Sequence, residues 1–177
     1  MDSDTWLIRK MKSGDDGAIE TFVKKYYPNI LQYCRLHIRD RGHMEDAAQE
    51  TFEKFFRALD GYRHYGKASN YLYVIASNVC KDYYRESGRK NFEVSVGEMP
   101  EGMVADRTNI DHAHERLAVE MAVDELPPEL KEIAILYFFQ EIRQSEIARI
   151  LGIGLPLVKY RIKRSRELLM EAFGKER

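Results

Sequence analysis

Cysteine is scarce in this sequence and long apolar runs are missing, and each shortage removes a class of protein. Two cysteines in 177 residues, Cys34 and Cys80, cannot frame a disulfide-stapled module. Both sit inside apolar helical patterns, which points to buried free thiols in a reducing cytosol; a single bridge between them is the alternative. No run of roughly 18 apolar residues occurs, so a membrane-spanning helix and membrane insertion are excluded. The opening Met1–Trp6 lacks the basic stretch and apolar core of a secretion signal. Strict apolar/polar alternation is confined to Phe92-Val94-Val96, too short to support a sheet. Neither a Gly-rich phosphate loop nor a Ser/His/Asp cluster is present. The 5 histidines are scattered, and His112 and His114 have no further ligands nearby. An enzyme, a metal and a cofactor are therefore not expected.

What is present is an ordinary soluble balance, 44% hydrophobic and 32% charged. The net charge of −1 hides an uneven distribution. Residues 1–90 carry 16 basic against 13 acidic residues, a net of +3. Residues 91–128 carry 2 against 9, a net of −7. Residues 129–177 carry 10 against 7, again +3. Two mildly basic ends flank an acidic middle.

The periodic segments are helical. Ile19, Phe22, Val23 and Tyr26 fall at i, i+3, i+4 and i+7. Ala48, Phe52, Phe55, Phe56 and Leu59 make a second apolar stripe, and Leu72, Ile75, Ala76, Val79 and Tyr83 a third. Pro28 and the surroundings of Gly42 and Gly61 punctuate these helices, and Ser13 or Asp15 caps a helix beginning near Asp16. From Gly88 to about Asp111 the chain is acidic, with Gly97, Pro100, Gly102 and few large apolar residues. This predicts a linker, and a boundary between domains. Periodicity resumes with Leu117, Ala118, Met121 and Ala122. Leu126-Pro127-Pro128 then starts a new helix with Leu130, Ile133, Ala134 and Tyr137 on one face. The fold class is all-α: a domain at 1–90, a linker at 91–111 and a domain at 112–177.

The sharpest local pattern runs from Ser145 to Arg164. A short helix with Ile147, Ala148 and Leu151 inward meets Gly152, which permits a tight turn. Pro156 suits the first turn of the next helix, whose inward residues are Val158, Ile162 and Leu169. Two short helices about a glycine turn form a helix-turn-helix. The second helix carries Lys159, Arg161, Lys163, Arg164 and Arg166, with no acid between Leu155 and Arg166. A solvated basic face would explain the charge alone. The apolar spacing, the glycine turn and the one-sided charge together favour a phosphate-lined groove. Leu157, Lys159, Tyr160, Arg161 and Lys163 lie off the inward stripe. Lys159 and Arg161, early in the helix, are assigned mainly to base edges, and Lys163, Arg164 and Arg166 mainly to phosphates.

In the N-terminal half, the second helix leaves Asp46, Gln49, Glu50, Glu53 and Arg57 off its aromatic stripe. Physics alone reads Asp46, Gln49 and Glu50 as a solvated helix start favoured by the dipole. Phe52, Phe55 and Phe56 read as plain core. The segment 62–70, with Tyr62, Arg63, Lys67 and Asn70, mixes aromatics, cations and amides. It is either an ordinary polar loop or a platform on which unpaired bases stack. After it, Tyr71 opens a helix whose polar stripe holds Asn78, Asp82 and Arg85, with Lys81 adjacent.

Asp46-x-x-Gln-Glu-x-Phe52, then Tyr71-Leu-Tyr-x-Ile-Ala-x-Asn78-x-x-x-Asp82-x-x-Arg85, then Leu126-Pro, Glu146-Ile-Ala, Leu151-Gly, Val158-Lys and Arg161 to Leu169 occur in order. This series resembles the extracytoplasmic-function (ECF) sigma factors of bacteria, from Gly14-Asp15 to Phe173. The resemblance implies a non-catalytic, cytoplasmic protein that binds core RNA polymerase, through its beta and beta-prime subunits, and reads promoter DNA. Asp46, Gln49, Glu50, Glu53 and Arg57 would meet the polymerase. Tyr62, Arg63, Lys67, Asn70, Tyr71, Asn78, Lys81 and Arg85 would take up the opened −10 element. Leu157, Lys159, Tyr160, Arg161, Lys163, Arg164 and Arg166 would meet the −35 duplex. The linker would thread through the polymerase, and an anti-sigma factor is an implied partner. Tyr71 stands where the family commonly has Trp, and Pro156-Leu157 where it commonly has Gly-Thr.

Overall fold

A computed structural model describes residues 3–64, 66–87 and 107–174. All regular structure among the described residues is helical, and the chain divides into two compact units near residue 92. The first unit contains α1 (Ser3–Lys12), α2 (Asp16–His37), α3 (Arg41–Arg57) and α4 (Ala68–Glu86). The second contains α5 (Arg107–Asp124), α6 (Pro128–Ala134), α7 (Gln144–Leu151) and α8 (Leu155–Gly174). No described helix is long and apolar enough to cross a membrane. The Phe92–Val96 stretch and most of the expected linker fall outside the described residues; α5 begins at Arg107, within that linker.

In the first unit the expected stripes meet in one core. Phe22 of α2 stacks on Phe55 of α3, with centroids 4.8 Å apart and planes at 18°. Tyr33 of α2 reaches Tyr73 of α4 at 5.5 Å. Such offset ring pairs contribute beyond their burial, by about 0.5–1.5 kcal/mol each. Cys34 and Cys80 are both buried and unbonded to each other. Asp15 caps α2, its carboxylate accepting from the Ala18 amide at 3.1 Å; Ser13 instead donates to the Lys10 carbonyl.

Several expectations change. Pro28 does not end α2, which runs through it. The proline lies on the exposed side, while Tyr26, Ile30 and Tyr33 hold the other side in the core. The surroundings of Gly42 do separate two helices, α2 ending at His37 and α3 starting at Arg41, although Gly42 itself lies in the first turn of α3. Asp40 accepts from the His43 amide at 3.0 Å and starts α3 at Arg41, ahead of Asp46. Leu59 is buried beyond the end of α3. Helix α4 begins at Ala68, inside the segment read as a loop, so Asn70 belongs to its first turn. Leu117 and Met121 of α5 are exposed, whereas Val123 is fully buried. Phe56 is half-buried rather than core.

Asp4 of α1 is 2% exposed, and it is the one buried charged residue among those described. Its carboxylate accepts from Lys25 Nζ at 2.6 Å, Tyr26 Oη at 2.5 Å and the Ala68 amide at 3.3 Å. Burial pushes its pKa up. The hydrogen bonds from Lys25, Tyr26 and Ala68, with the Lys25 charge, outweigh this and leave it below the ordinary aspartate value. A carboxylate with a depressed folded-state pKa adds stability that is present above its unfolded pKa and lost as pH falls through the folded one. Urea midpoints of the wild type should therefore drop as pH falls below about 4. Asp4→Asn should flatten part of that drop; identical pH profiles would contradict the assignment.

Candidate functional site

The three groups of site residues named from the sequence fall on a face of α3, on the α3–α4 loop together with α4, and on α8. On α3 the aromatic side is spent on the core, so the opposite side is left to solvent. Asp46, Gln49, Glu50, Glu53 and Arg57 are all exposed there. At about 100° per residue they span an arc of about 100°. Gln49 Nε2 donates to Glu53 Oε1 at 3.1 Å, Lys54 pairs with Glu50 at 2.9 Å, and Arg57 lies 3.9 Å from Glu53. Exposed pairs of this kind add little stability. All five residues line one shallow depression. Beside it lies a second, apolar one between α2 and α3, lined by Val23, Tyr27, Phe52 and Phe56 and sharing Gln49 and Glu53. The sequence reading missed this patch, because half-buried Val23 and Phe56 sit within otherwise buried stripes.

The second face is built around the start of α4. Tyr62 stacks on Tyr71 at 5.1 Å and 21°, and both rings rest against Phe55, at 5.5 and 5.9 Å. The two tyrosines are thus part floor and part surface, half-buried rather than free platforms. Burial, with the Asp4 charge and Tyr71 behind it, raises the Tyr62 pKa. Its hydroxyl therefore stays protonated, 3.2 Å from His64 Nδ1. Lys67 is the N-cap residue of α4 and its side chain makes no capping bond to the helix; Arg63 and Lys67 are exposed. Asn70 is half-buried, and its Oδ1 is a buried acceptor with no hydrogen-bond partner. Such orphans are rare and need a reason. Asn78, Lys81 and Arg85 are exposed, and with Asn70 they fall within an arc of about 80°. Arg85 pairs with Asp82 at 3.4 Å.

The third face is the α7–α8 pair. Gly152 ends α7 at φ 64° and ψ 33°, the left-handed region, and its amide bonds the Ala148 carbonyl. Ile147 and Ile150 are the buried residues of α7, with Ala148 and Leu151 half-buried. In α8, Val158, Ile162 and Ser165 are buried, and Leu169 is partly buried against Leu126, Leu130 and Ala134. Ser165 is tolerated there because its hydroxyl donates to the carbonyls of Arg161, at 2.7 Å, and Leu130, at 3.2 Å. Ahead of α7, α6 widens into a π turn at Ile135–Phe139, with the Gln140 amide bonding the Ile135 carbonyl. Leu157, Lys159, Tyr160, Lys163, Arg164 and Arg166 are exposed. Arg161 is half-buried on the flank of the inward stripe, away from the centre of the open face. Arg164 reaches Glu167 at 3.1 Å, and Arg166 lies over the Phe138 ring at 5.7 Å. Among the described residues no cluster of His, Cys, Asp and Glu could hold a metal.

Comparison with known proteins follows the same division. The sigma-70 region 2 model matches residues 22–90, and the sigma-70 region 4 model matches residues 116–169. The chain is 30% identical to the ECF RNA polymerase sigma factor SigW of Bacillus subtilis (strain 168) over 172 residues, 92% of each chain. It is 29% identical to the RNA polymerase sigma-H factor of Pseudomonas aeruginosa over 181 residues, 97% of this chain and 94% of that one. CnrH, solved in complex with the cytosolic domain of CnrY, superposes with a TM-score of 0.77 at 22% identity, covering 99% of this chain and 100% of that chain. The sigma factor RpoE of Bartonella quintana, solved with the anti-sigma factor NepR, superposes with a TM-score of 0.72 at 19% identity, covering 90% and 98%. The class is the sigma-70 type of transcription initiation factor. Within that class, the chain belongs to the ECF family of RNA polymerase sigma factors.

The helix-turn-helix geometry depends on the backbone of Gly152. A side chain there meets no neighbour, so only the positive φ opposes it. Gly152→Ala should lower the stability of the second unit by about 1 kcal/mol in urea denaturation. An unchanged midpoint would show that the turn relaxes elsewhere.

Proposed function

We infer that this chain binds core RNA polymerase and directs promoter-specific transcription initiation, with each of the three faces taking a different partner. The α3 face meets the polymerase. The Tyr62–Arg85 surface takes up the opened −10 strand, and α8 reads the −35 duplex. The protein itself is non-catalytic and acts by positioning. The supporting observation is the order of a region 2 unit and a region 4 unit on one chain, each with most of its polar motif residues exposed.

The chemistry of each face suits its partner. Asp46, Glu50 and Glu53 make the α3 face mainly acidic, and the apolar patch of Val23, Tyr27, Phe52 and Phe56 beside it offers area to a protein partner, not to DNA. On α4, the Asn70 acceptor suits an amino group on the edge of an unpaired base, and Arg63, Lys67 and Lys81 suit the strand's phosphates. On α8, Leu157, Lys159 and Tyr160 lie in the first turns, where a recognition helix reaches base edges. Lys163, Arg164 and Arg166 follow, where phosphates lie. Arg161, half-buried, is the weaker candidate for base contact. RpoE of Bartonella quintana was captured with an anti-sigma factor, and we extend that kind of inhibitor to this chain as a proposal.

The test of the function is run-off transcription by core polymerase with this chain on a genomic library. Aligned start sites should share two upstream elements; initiation at unrelated sites would contradict the reading. Replacing Gln49 and Glu50 with alanine should leave the melting temperature within about a degree of wild type while weakening core binding about tenfold, or about 1.4 kcal/mol. Unchanged affinity would remove α3 from the interface. For α8, holoenzyme carrying Arg164→Ala should bind every −35 sequence more weakly, with a salt slope smaller by about one unit. Lys159→Ala should instead lose about 1–3 kcal/mol at one base position and relax the preference there. Equal losses on all sequences in both variants would deny base reading to Lys159.

A further inference from the structure

We propose that α1 is a strap that holds the α3–α4 loop in the shape that takes up single-stranded DNA, with Asp4 and Lys12 as its positioning residues. The proposal rests on the reading of Tyr62–Arg85 as the −10 surface. It concerns a helix that none of the three faces includes.

The strap grips the loop at both ends. Lys12, at the end of α1, donates from Nζ to the carbonyls of Asp60, at 3.3 Å, and Tyr62, at 2.7 Å, where the chain leaves α3. Asp4, two turns earlier, accepts from the Ala68 amide at 3.3 Å, where the chain enters α4. Between these grips lie Arg63, His64 and Lys67. The stacked Tyr62–Tyr71 pair and the orphan Asn70 acceptor stand at the margin. Helix α1 is itself seated by Leu7, Ile8 and Met11, each at most 4% exposed.

Seating alone would hold α1 in place with apolar residues. Burying a carboxylate is costly, and a well-packed apolar replacement is often as stable or more so. What Asp4 adds is direction. Its Oδ2 accepts from the first amide of α4, which lacks a side-chain cap of its own, and a negative charge at a helix N-terminus suits the helix dipole. Lys12 adds little burial, being exposed, but it turns the Tyr62 carbonyl toward α1 and so leaves the Tyr62 ring against Tyr71. The loop thus arrives preformed, and the strand does not meet the entropy cost of ordering it.

The experiment uses holoenzyme and a fluorescent single-stranded oligonucleotide carrying the non-template −10 sequence of a promoter the holoenzyme has selected. Lys12→Met, Asp4→Asn and Asn70→Ala are compared with wild type for oligonucleotide affinity, core-polymerase affinity and melting temperature. Lys12→Met changes an exposed residue and keeps the fold even if Asp4→Asn does not. The strap predicts a five- to tenfold weaker capture of the oligonucleotide by Lys12→Met, about the size of one or two net hydrogen bonds, with core affinity unchanged. It also predicts recovery in Lys12→Arg, whose guanidinium still donates to both carbonyls. Normal capture by Lys12→Met beside weakened capture by Asn70→Ala overturns the strap and leaves the −10 surface standing. Normal capture by both overturns the strap together with the surface. A matching loss of core affinity in Lys12→Met also overturns the strap, since α1 would then support the whole unit rather than its loop.

Discussion

The stack of Phe55 on Phe22 is the contact from which the first unit's surfaces are hung. Phe55 is fully buried. It touches Phe22 of α2 at 4.8 Å and the Tyr62 and Tyr71 rings at 5.5 and 5.9 Å. One side chain therefore joins α2, α3, the loop and α4. Because α3 spends that side on the core, its other side must be polar and open, and this is the side that bears Asp46, Gln49, Glu50, Glu53 and Arg57. Because the tyrosines rest on Phe55, the floor of the loop proposed to take up DNA is set by the same packing. On α3 the core residues and the candidate site residues are opposite faces of one helix.

The second unit meets the same constraint with a different device. Its core fixes α8 through Val158, Ile162 and Ser165, and the left-handed Gly152 sets the angle at which α8 leaves α7. The cations then fall on what remains outside. Some already have local partners: Arg164 reaches Glu167, and Arg166 covers Phe138. Lys159 and Tyr160 lie early on the open face, which is where specificity is assigned.

Much of this was legible in the sequence because the informative spacings are local. The aromatic stripe of α3, the Pro127-Pro128 start of α6 and the Gly152 turn all follow from residues within two helical turns of one another. Other features depend on distance along the chain or on context. Asp4 and Ala68 are 64 positions apart, and no period connects them. Pro28 looks like a stop unless one knows that it faces water. Gly42 marks the break between α2 and α3 only to within a few residues, because Asp40, two residues ahead of it, is what caps α3. The π turn at Ile135–Phe139 has no repeat of its own, and Ser165 reads as a surface residue until its bonds to two carbonyls are known. At the candidate site the residue types were legible. The Tyr62–Tyr71 stack, the Asn70 orphan and the half-buried Arg161 were not, since each depends on what lies across the fold.

In the proposed initiation complex three surfaces of this chain take three partners. Photocrosslinking tests it most directly, with a crosslinkable residue placed at position 49, 70 or 160 of the chain in promoter-bound holoenzyme. Position 49 should join to a polymerase subunit, position 70 to the opened −10 strand and position 160 to the upstream duplex. Crosslinks from position 49 to DNA, or from position 160 to the opened strand, would contradict this arrangement.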